Sequence, residues 1–111
     1  MKKFITLIAF MIFTASIHAQ ETAGSVNRLG LEHLNHGRYD AAVSQFEQAI
    51  EMKPDYALAH YNLGTSYFYL RRFDRAIGSL SQAKKLDPTS AAIANQLGAV
   101  YLDSGDKERA I

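Results

Sequence analysis

An all-α fold, an array of stacked helical hairpins of the α-solenoid kind, is what this sequence predicts, and three observations predict it. The first is an internal period. Gly30, Gly64 and Gly98 stand 34 residues apart, and Leu29, Leu63 and Leu97 precede them at the same spacing. Ala42, Ala76 and Ala110 keep the period, as do the pairs Ala49/Ala83 and Pro54/Pro88, and Asp40 and Asp74 are followed by Glu108. Self-similarity at a fixed period of about 20–50 residues marks a repeat architecture, in which each unit buries its apolar face only against its neighbours. The second observation is helical apolar spacing within each unit. The third is punctuation: every unit has a polar or glycine break near its middle, and the two complete ones run into a proline.

The units read Ala23–Tyr56, Ala57–Ser90 and Ala91–Ile111. Each opens with a helix. In the second unit Leu58, Leu63, Tyr67 and Leu70 recur at steps of broadly helical spacing. The break then falls at His36-Gly37-Arg38, Arg71-Arg72 and Ser104-Gly105-Asp106. A second helix starts near Asp40, Asp74 or Glu108, where a carboxylate suits the positive end of the helix dipole. Ala42, Val43, Phe46, Ala49 and Ile50 form its apolar stripe in unit one. Lys53-Pro54 and Asp87-Pro88 end it, because the residue before proline is pushed out of the helical region.

The repeated glycines require a physical reason, since glycine inside a helix costs about 1 kcal/mol relative to alanine. Close approach supplies one: Gly64 is expected to meet the region of Ala76, and Ala83 to let the second helix lie against the first helix of the next unit. A larger side chain at either place overpacks the contact, at about 1–3 kcal/mol.

The first residues carry a different signal. Lys2 and Lys3 precede an apolar run, Phe4 to Ile17, followed by His18-Ala19-Gln20 and a polar stretch. This is the pattern of a secretory signal peptide covering residues 1–19, cut after Ala19, of a bacterial export kind. The run is short for a spanning helix and holds Thr6, Thr14 and Ser16, so an uncleaved anchor is the alternative. The expected location is periplasmic or extracellular, with no membrane insertion after cleavage.

Composition closes several routes. The chain has no cysteine, which excludes disulfides, thiolate catalysis and thiolate metal sites. Taking Lys2 and Lys3 from its 12 basic residues leaves 10 against 11 acidic ones, a net of −1. A near-neutral chain offers no electrostatic case for nucleic acid. The serines, histidines and aspartates form no nucleophile turn, and there is no glycine-rich phosphate loop. No enzymatic activity and no cofactor are expected.

Ala57-x-x-His60-x-x-Leu63-Gly64-x-x-Tyr67, then Ala76, Leu80, Ala83 and Pro88, resembles the tetratricopeptide repeat signature at its usual spacing. Unit one matches through Val26, Leu29, Gly30, Ala42, Phe46, Ala49 and Pro54, and unit three through Leu97, Gly98, Tyr101 and Ala110. There are departures. Val26, His60 and Ala94 replace an aromatic, His33 replaces a tyrosine, and Lys107 stands where Tyr39 and Phe73 stand in the other units. The resemblance implies a right-handed superhelix of helix-turn-helix repeats whose first helices line a concave groove for a peptide or protein partner.

Carried onto this sequence, the groove positions implied by the resemblance include Asn27 and Arg28 in unit one, Tyr61, Asn62, Thr65 and Tyr69 in unit two, and Asn95 and Gln96 in unit three. Amides both donate and accept, and tyrosines add apolar contact with a polar tip. Such a groove suits a mostly neutral extended or helical peptide. Relatives that capture a C-terminal carboxylate carry lysine and asparagine, asparagine, then lysine and arginine; here those places hold Asn27, Leu31, Asn62, Ala92 and Gln96. The cations are missing, so the resemblance argues against that ligand.

His33 and His36 stand three apart without an evident third ligand, which reads as packing and not as a metal site. Arg71, Arg72 and Arg75, with Asp74 among them, read as a solvated surface. Ala110 and Ile111 are core positions of a second helix that has barely begun. Hairpin three is therefore expected to fray. Two alternatives follow: self-association through that unfinished face, or an N-terminal array of a larger envelope enzyme or assembly factor whose working domain lies beyond residue 111.

Overall fold

Capping and turn chemistry divide the described part of the chain into five helices. The computed structural model describes residues 21–105, and in chain order they hold α1 (Ala23–Asn35), α2 (Tyr39–Met52), α3 (Ala57–Tyr69), α4 (Phe73–Leu86) and α5 (Ala91–Asp103). No strand occurs among the described residues, so the all-α expectation holds. The signal expected over residues 1–19 and the second-helix start near Glu108 lie outside the described residues.

α1 starts with a reciprocal cap. Ser25 N–H donates to Thr22 Oγ1 at 3.1 Å, and Thr22 N–H donates to Ser25 Oγ at 3.0 Å. That satisfies donors the first helical turn leaves open. Ser90 caps α5 in the same sense, accepting from Ile93 N–H at 3.3 Å. α2 and α4 have no side-chain cap bond, and instead place Asp40 and Asp74 in the first turn, against the positive end of the dipole.

The turns that join α1 to α2 and α3 to α4 close alike. Gly37 N–H donates to Leu34 O and Arg38 N–H to His33 O; Arg71 N–H donates to Phe68 O and Arg72 N–H to Tyr67 O. This is the Schellman pattern, which needs a left-handed residue just past the helix end. Gly37 fills that position at φ 73° and Arg71 at φ 60°.

α1 packs on α2 and α3 on α4 as hairpins; α2 then packs on α3, and α4 on α5, to join one hairpin to the next. The close approach expected of the glycines is present. A Cβ on Gly64 would lie 2.6 Å from Leu80 Cγ and 3.2 Å from Ala76 O, and one on Gly30 would lie 2.5 Å from the Phe46 ring. Each glycine thus leaves the slot that a large side chain of the partner helix fills. Phe46 and Leu80 are fully buried as a result, and each such burial stabilises by roughly 1.5–3 kcal/mol.

The core is continuous across units. Ala42, Val43 and Phe46 from α2 share one cluster with Leu63 and Tyr67 from α3, Ala76 and Leu80 from α4, and Val100 from α5. A second cluster joins Val26 of α1, Ala49 of α2 and Ala59 of α3. Ala49 and Ala83 are both fully buried, as close helix contact between units requires. α3, held between α2 and α4, buries residues on more than one face: Ala59, Asn62, Leu63, Gly64, Ser66 and Tyr67.

Candidate interaction groove

The first helices of the three repeat units, α1, α3 and α5, touch in sequence, α1 on α3 and α3 on α5. That contact brings residues of one repeat phase together. Its central feature is a bond between Asn62 of α3 and Asn27 of α1: the Asn62 amide donates to Asn27 Oδ1 at 3.1 Å. The two residues are 3% and 4% exposed for Asn27 and Asn62 respectively, so the pair forms a floor and not a rim. No buried side-chain polar atom among the described residues lacks a partner, so the remaining polar atom of each amide keeps access to solvent. Ser66 deepens the same helix face, donating through Oγ to Asn62 O at 2.9 Å.

Tyr61 is half-buried and packs against the main core cluster. Thr65, one turn on, donates its hydroxyl to Tyr61 O at 3.0 Å. Tyr69 is 52% exposed, and its ring stacks on Tyr39 of α2, with centroids 5.1 Å apart and planes 11° from parallel. Arg28 and Asn95 are exposed and Gln96 half-buried. A hollow of about 120 Å³ between α3 and α5 is lined by Ala57, Leu58, Tyr61, Asp87, Ser90, Ala92 and Ile93. Tyr61 therefore faces an apolar recess on one side, while Asn62 and Asn27 meet under the α1–α3 seam.

A further polar link joins α2 to α3. Tyr67 Oη donates to Glu47 Oε1 at 3.0 Å. Burial first, then the hydrogen bond and the charge of Glu47, push the Tyr67 hydroxyl above its ordinary value of 10.0, with Arg75 acting the other way. The sequence places Tyr67 in the apolar helical spacing of its unit and carries no signal that pairs it with Glu47. The two are 20 positions apart, and no helical spacing connects them.

The histidines are engaged locally. His33 Nδ1 accepts from Arg38 Nε at 3.0 Å, and His36 Nδ1 lies 2.7 Å from Glu32 O. No group of three or more potential metal ligands occurs among the described residues. No helix among them is long and apolar enough to cross a membrane.

A family model described as tetratricopeptide repeat matches residues 27–91 and again 61–111. No curated protein matches the chain. Among solved structures, the first TPR of Spaghetti (RPAP3) bound to HSP90 peptide SRMEEVD superposes with a TM-score of 0.78 at 21% identity, over 80% of this chain and 71% of that one. A crystal structure of MamA gives a TM-score of 0.76 at 25% identity, over 80% of this chain and 52% of its own. A second MamA structure, AMB-1, gives 0.74 at 27%, over 86% and 52%. The chain thus spans about half the length of the MamA chains it matches.

Proposed function

Because the chain belongs to the tetratricopeptide repeat family, we propose that it is a non-catalytic interaction module of the bacterial envelope. Its units span 23–56, 57–90 and 91–111. It takes a largely neutral stretch of a peptide or protein partner along α1, α3 and α5.

One observation carries this reading: the paired Asn27 and Asn62 amides lie beneath a seam flanked by Tyr61 and its apolar recess. The amide atoms left open at the seam suit a partner's backbone, which presents N–H and C=O groups in alternation. Leu58 and Tyr61 with Ala92 and Ile93 suit an apolar side chain beside it. Arg28, Thr65, Tyr69, Asn95 and Gln96 complete the proposed contact set. Leu31 and Ala92 stand where carboxylate-capturing relatives carry an amide and a cation, which favours a neutral ligand.

Affinity capture from envelope extract tests the site. Tyr61→Ala and Asn62→Ala are expected to lose the captured partner, and unchanged capture by both rejects the groove. Asn62 is buried, so Leu58→Lys serves as a variant at an exposed position, Leu58 being 49% exposed. Circular dichroism of each variant separates lost binding from lost fold.

The export reading rests on Lys2, Lys3 and the apolar run Phe4 to Ile17. N-terminal sequencing of the exported protein is expected to begin at Gln20. An intact Met1 on a membrane-bound product overturns cleavage in favour of an anchor.

A further inference from the structure

The turns that end α1, α3 and α5 each place a left-handed residue two positions past the helix, and one of the three is not glycine. The left-handed position is Gly37 (φ 73°) in the first, Gly105 (φ 90°) in the third and Arg71 (φ 60°) in the second. Each donates its N–H two residues past the helix to the same place, Leu34 O, Leu102 O and Phe68 O. A Cβ is disfavoured at positive φ, and helix ends of this kind favour glycine. Arg71 therefore stands where the fold itself prefers no side chain. A non-glycine residue held in this region points from an outlier toward a use.

The arginine is also held in place. Arg71 Cζ lies 5.1 Å over the Phe73 ring, and Arg75 Cζ lies 5.8 Å over the Tyr67 ring. Arg72 Nη2 lies 3.9 Å from Asp40 Oδ1, the only salt bridge among the described residues. Arg71 and Arg75 thus have no carboxylate within 4.0 Å there. Arg71, Arg72, Phe73, Asp74, Arg75 and Ser104 line one hollow of about 460 Å³, which reaches from the second turn to the third. The described lining holds three exposed guanidinium groups and one carboxylate, Asp74, and Arg72 is shared with Asp40 outside it, which leaves the lining net positive through Arg71 and Arg75. None of the groove residues named above lines it.

We propose that this hollow is a second docking site, for an acidic segment of a protein partner. The Arg71 guanidinium, stacked on Phe73, presents N–H edges that match a carboxylate with two parallel bonds. Side chains already held by stacking lose less freedom on binding than free ones. Phe73 adds an apolar wall, which suits an apolar residue between acidic ones; a peptide supplies that, and inorganic phosphate or a lipid headgroup does not. Nucleic acid is disfavoured by the rest of the chain, since the residues after the N-terminal basic pair carry a net charge of −1.

The test uses the full chain and a fluorescein-labelled Glu-Glu-Phe-Glu-Glu peptide, read by anisotropy. Binding is expected at low salt and is expected to be largely lost at about 0.5 M salt. Arg71→Gly and Arg75→Gln are each expected to weaken it about tenfold or more. Arg71→Gly is decisive because glycine is the residue the turn prefers: its Tm is expected to equal or exceed that of the parent protein, so lost binding is not lost fold. Tyr61→Ala, in the groove, is expected to leave the probe affinity unchanged, which keeps the two sites distinguishable. Equal binding by Arg71→Gly, no binding of the peptide at all, or Arg71-dependent sedimentation with phosphatidylglycerol vesicles in its place each overturns the proposal.

Discussion

Asn62 of α3 reaches across the seam between two repeat units and donates to Asn27 of α1 at 3.1 Å, with both residues almost wholly buried. The bond joins residues 35 positions apart, so it ties one unit to the next and not one turn to its neighbour.

Removing one partner of such a bond costs more than removing both. Asn27→Ala or Asn62→Ala leaves a buried amide short of a partner and is expected to destabilise the protein by about 1–3 kcal/mol. The double variant Asn27→Ala/Asn62→Ala is expected to cost less than the sum of the single changes. Urea denaturation of all three reads the coupling; strictly additive losses contradict it.

Two helical glycines are expected to respond in opposite directions to alanine. At Gly64 a Cβ meets Leu80 Cγ at 2.6 Å, so Gly64→Ala overpacks the α3–α4 contact by about 1–3 kcal/mol. At Gly78 of α4 a Cβ meets nothing within 4 Å, so Gly78→Ala gains helix propensity, about 0.5–1 kcal/mol. A pair of thermal melts checks both signs.

Tyr67 gives a pH signature. Its hydroxyl titrates above its ordinary value of 10.0 in the folded protein, because burial and Glu47 favour the neutral form. The resulting stability is fully present below the unfolded value and is lost as pH rises through the folded one. Wild-type urea stability is therefore expected to fall more steeply than that of Tyr67→Phe as pH rises above about 10, the ordinary value of the hydroxyl. At neutral pH the same substitution is expected to cost roughly 1.5–3 kcal/mol, the scale of a hydrogen bond to a charged group. Parallel pH profiles for the two proteins contradict the assignment.

Amide exchange is expected to rank the helices by how many neighbours cover them. Among the described residues α3 lies between α2 and α4, whereas α5 packs chiefly on α4. Protection at Leu63, Ser66 and Tyr67 is expected to approach the global unfolding limit, with α5 opening sooner. Equal protection through Ile93–Val100 and Leu63–Tyr67 overturns the ranking.

Much of this architecture was legible in the sequence because it depends on periodic small residues. The columns at Gly30/Gly64 and Ala42/Ala76 state where two helices come close, and the structure places them there. The family resemblance, and not periodicity, implied groove positions for Asn27 and Asn62, and their mutual bond beneath the seam follows from how closely α1 and α3 approach. What periodicity leaves open is depth and partner. It named Ala76 as the neighbour of Gly64, yet Leu80 lies nearer, because a branched side chain reaches into the slot that the glycine leaves. Arg71-Arg72 was readable as a break, but its left-handed backbone was not, since arginine carries none of the signal that Gly37 and Gly105 give. Tyr67 and Glu47 pair across helices, and only the packed array sets that distance.

The Tyr39–Tyr69 stack has a practical consequence. The chain has no tryptophan and six tyrosines, so its near-ultraviolet signal comes mainly from phenol rings. Two of those rings lie nearly parallel at 5.1 Å, one on α2 and one on α3, where the first hairpin meets the second. Exciton coupling between them vanishes once the hairpins separate. The protein thus carries its own label-free optical gauge of whether neighbouring repeats are docked.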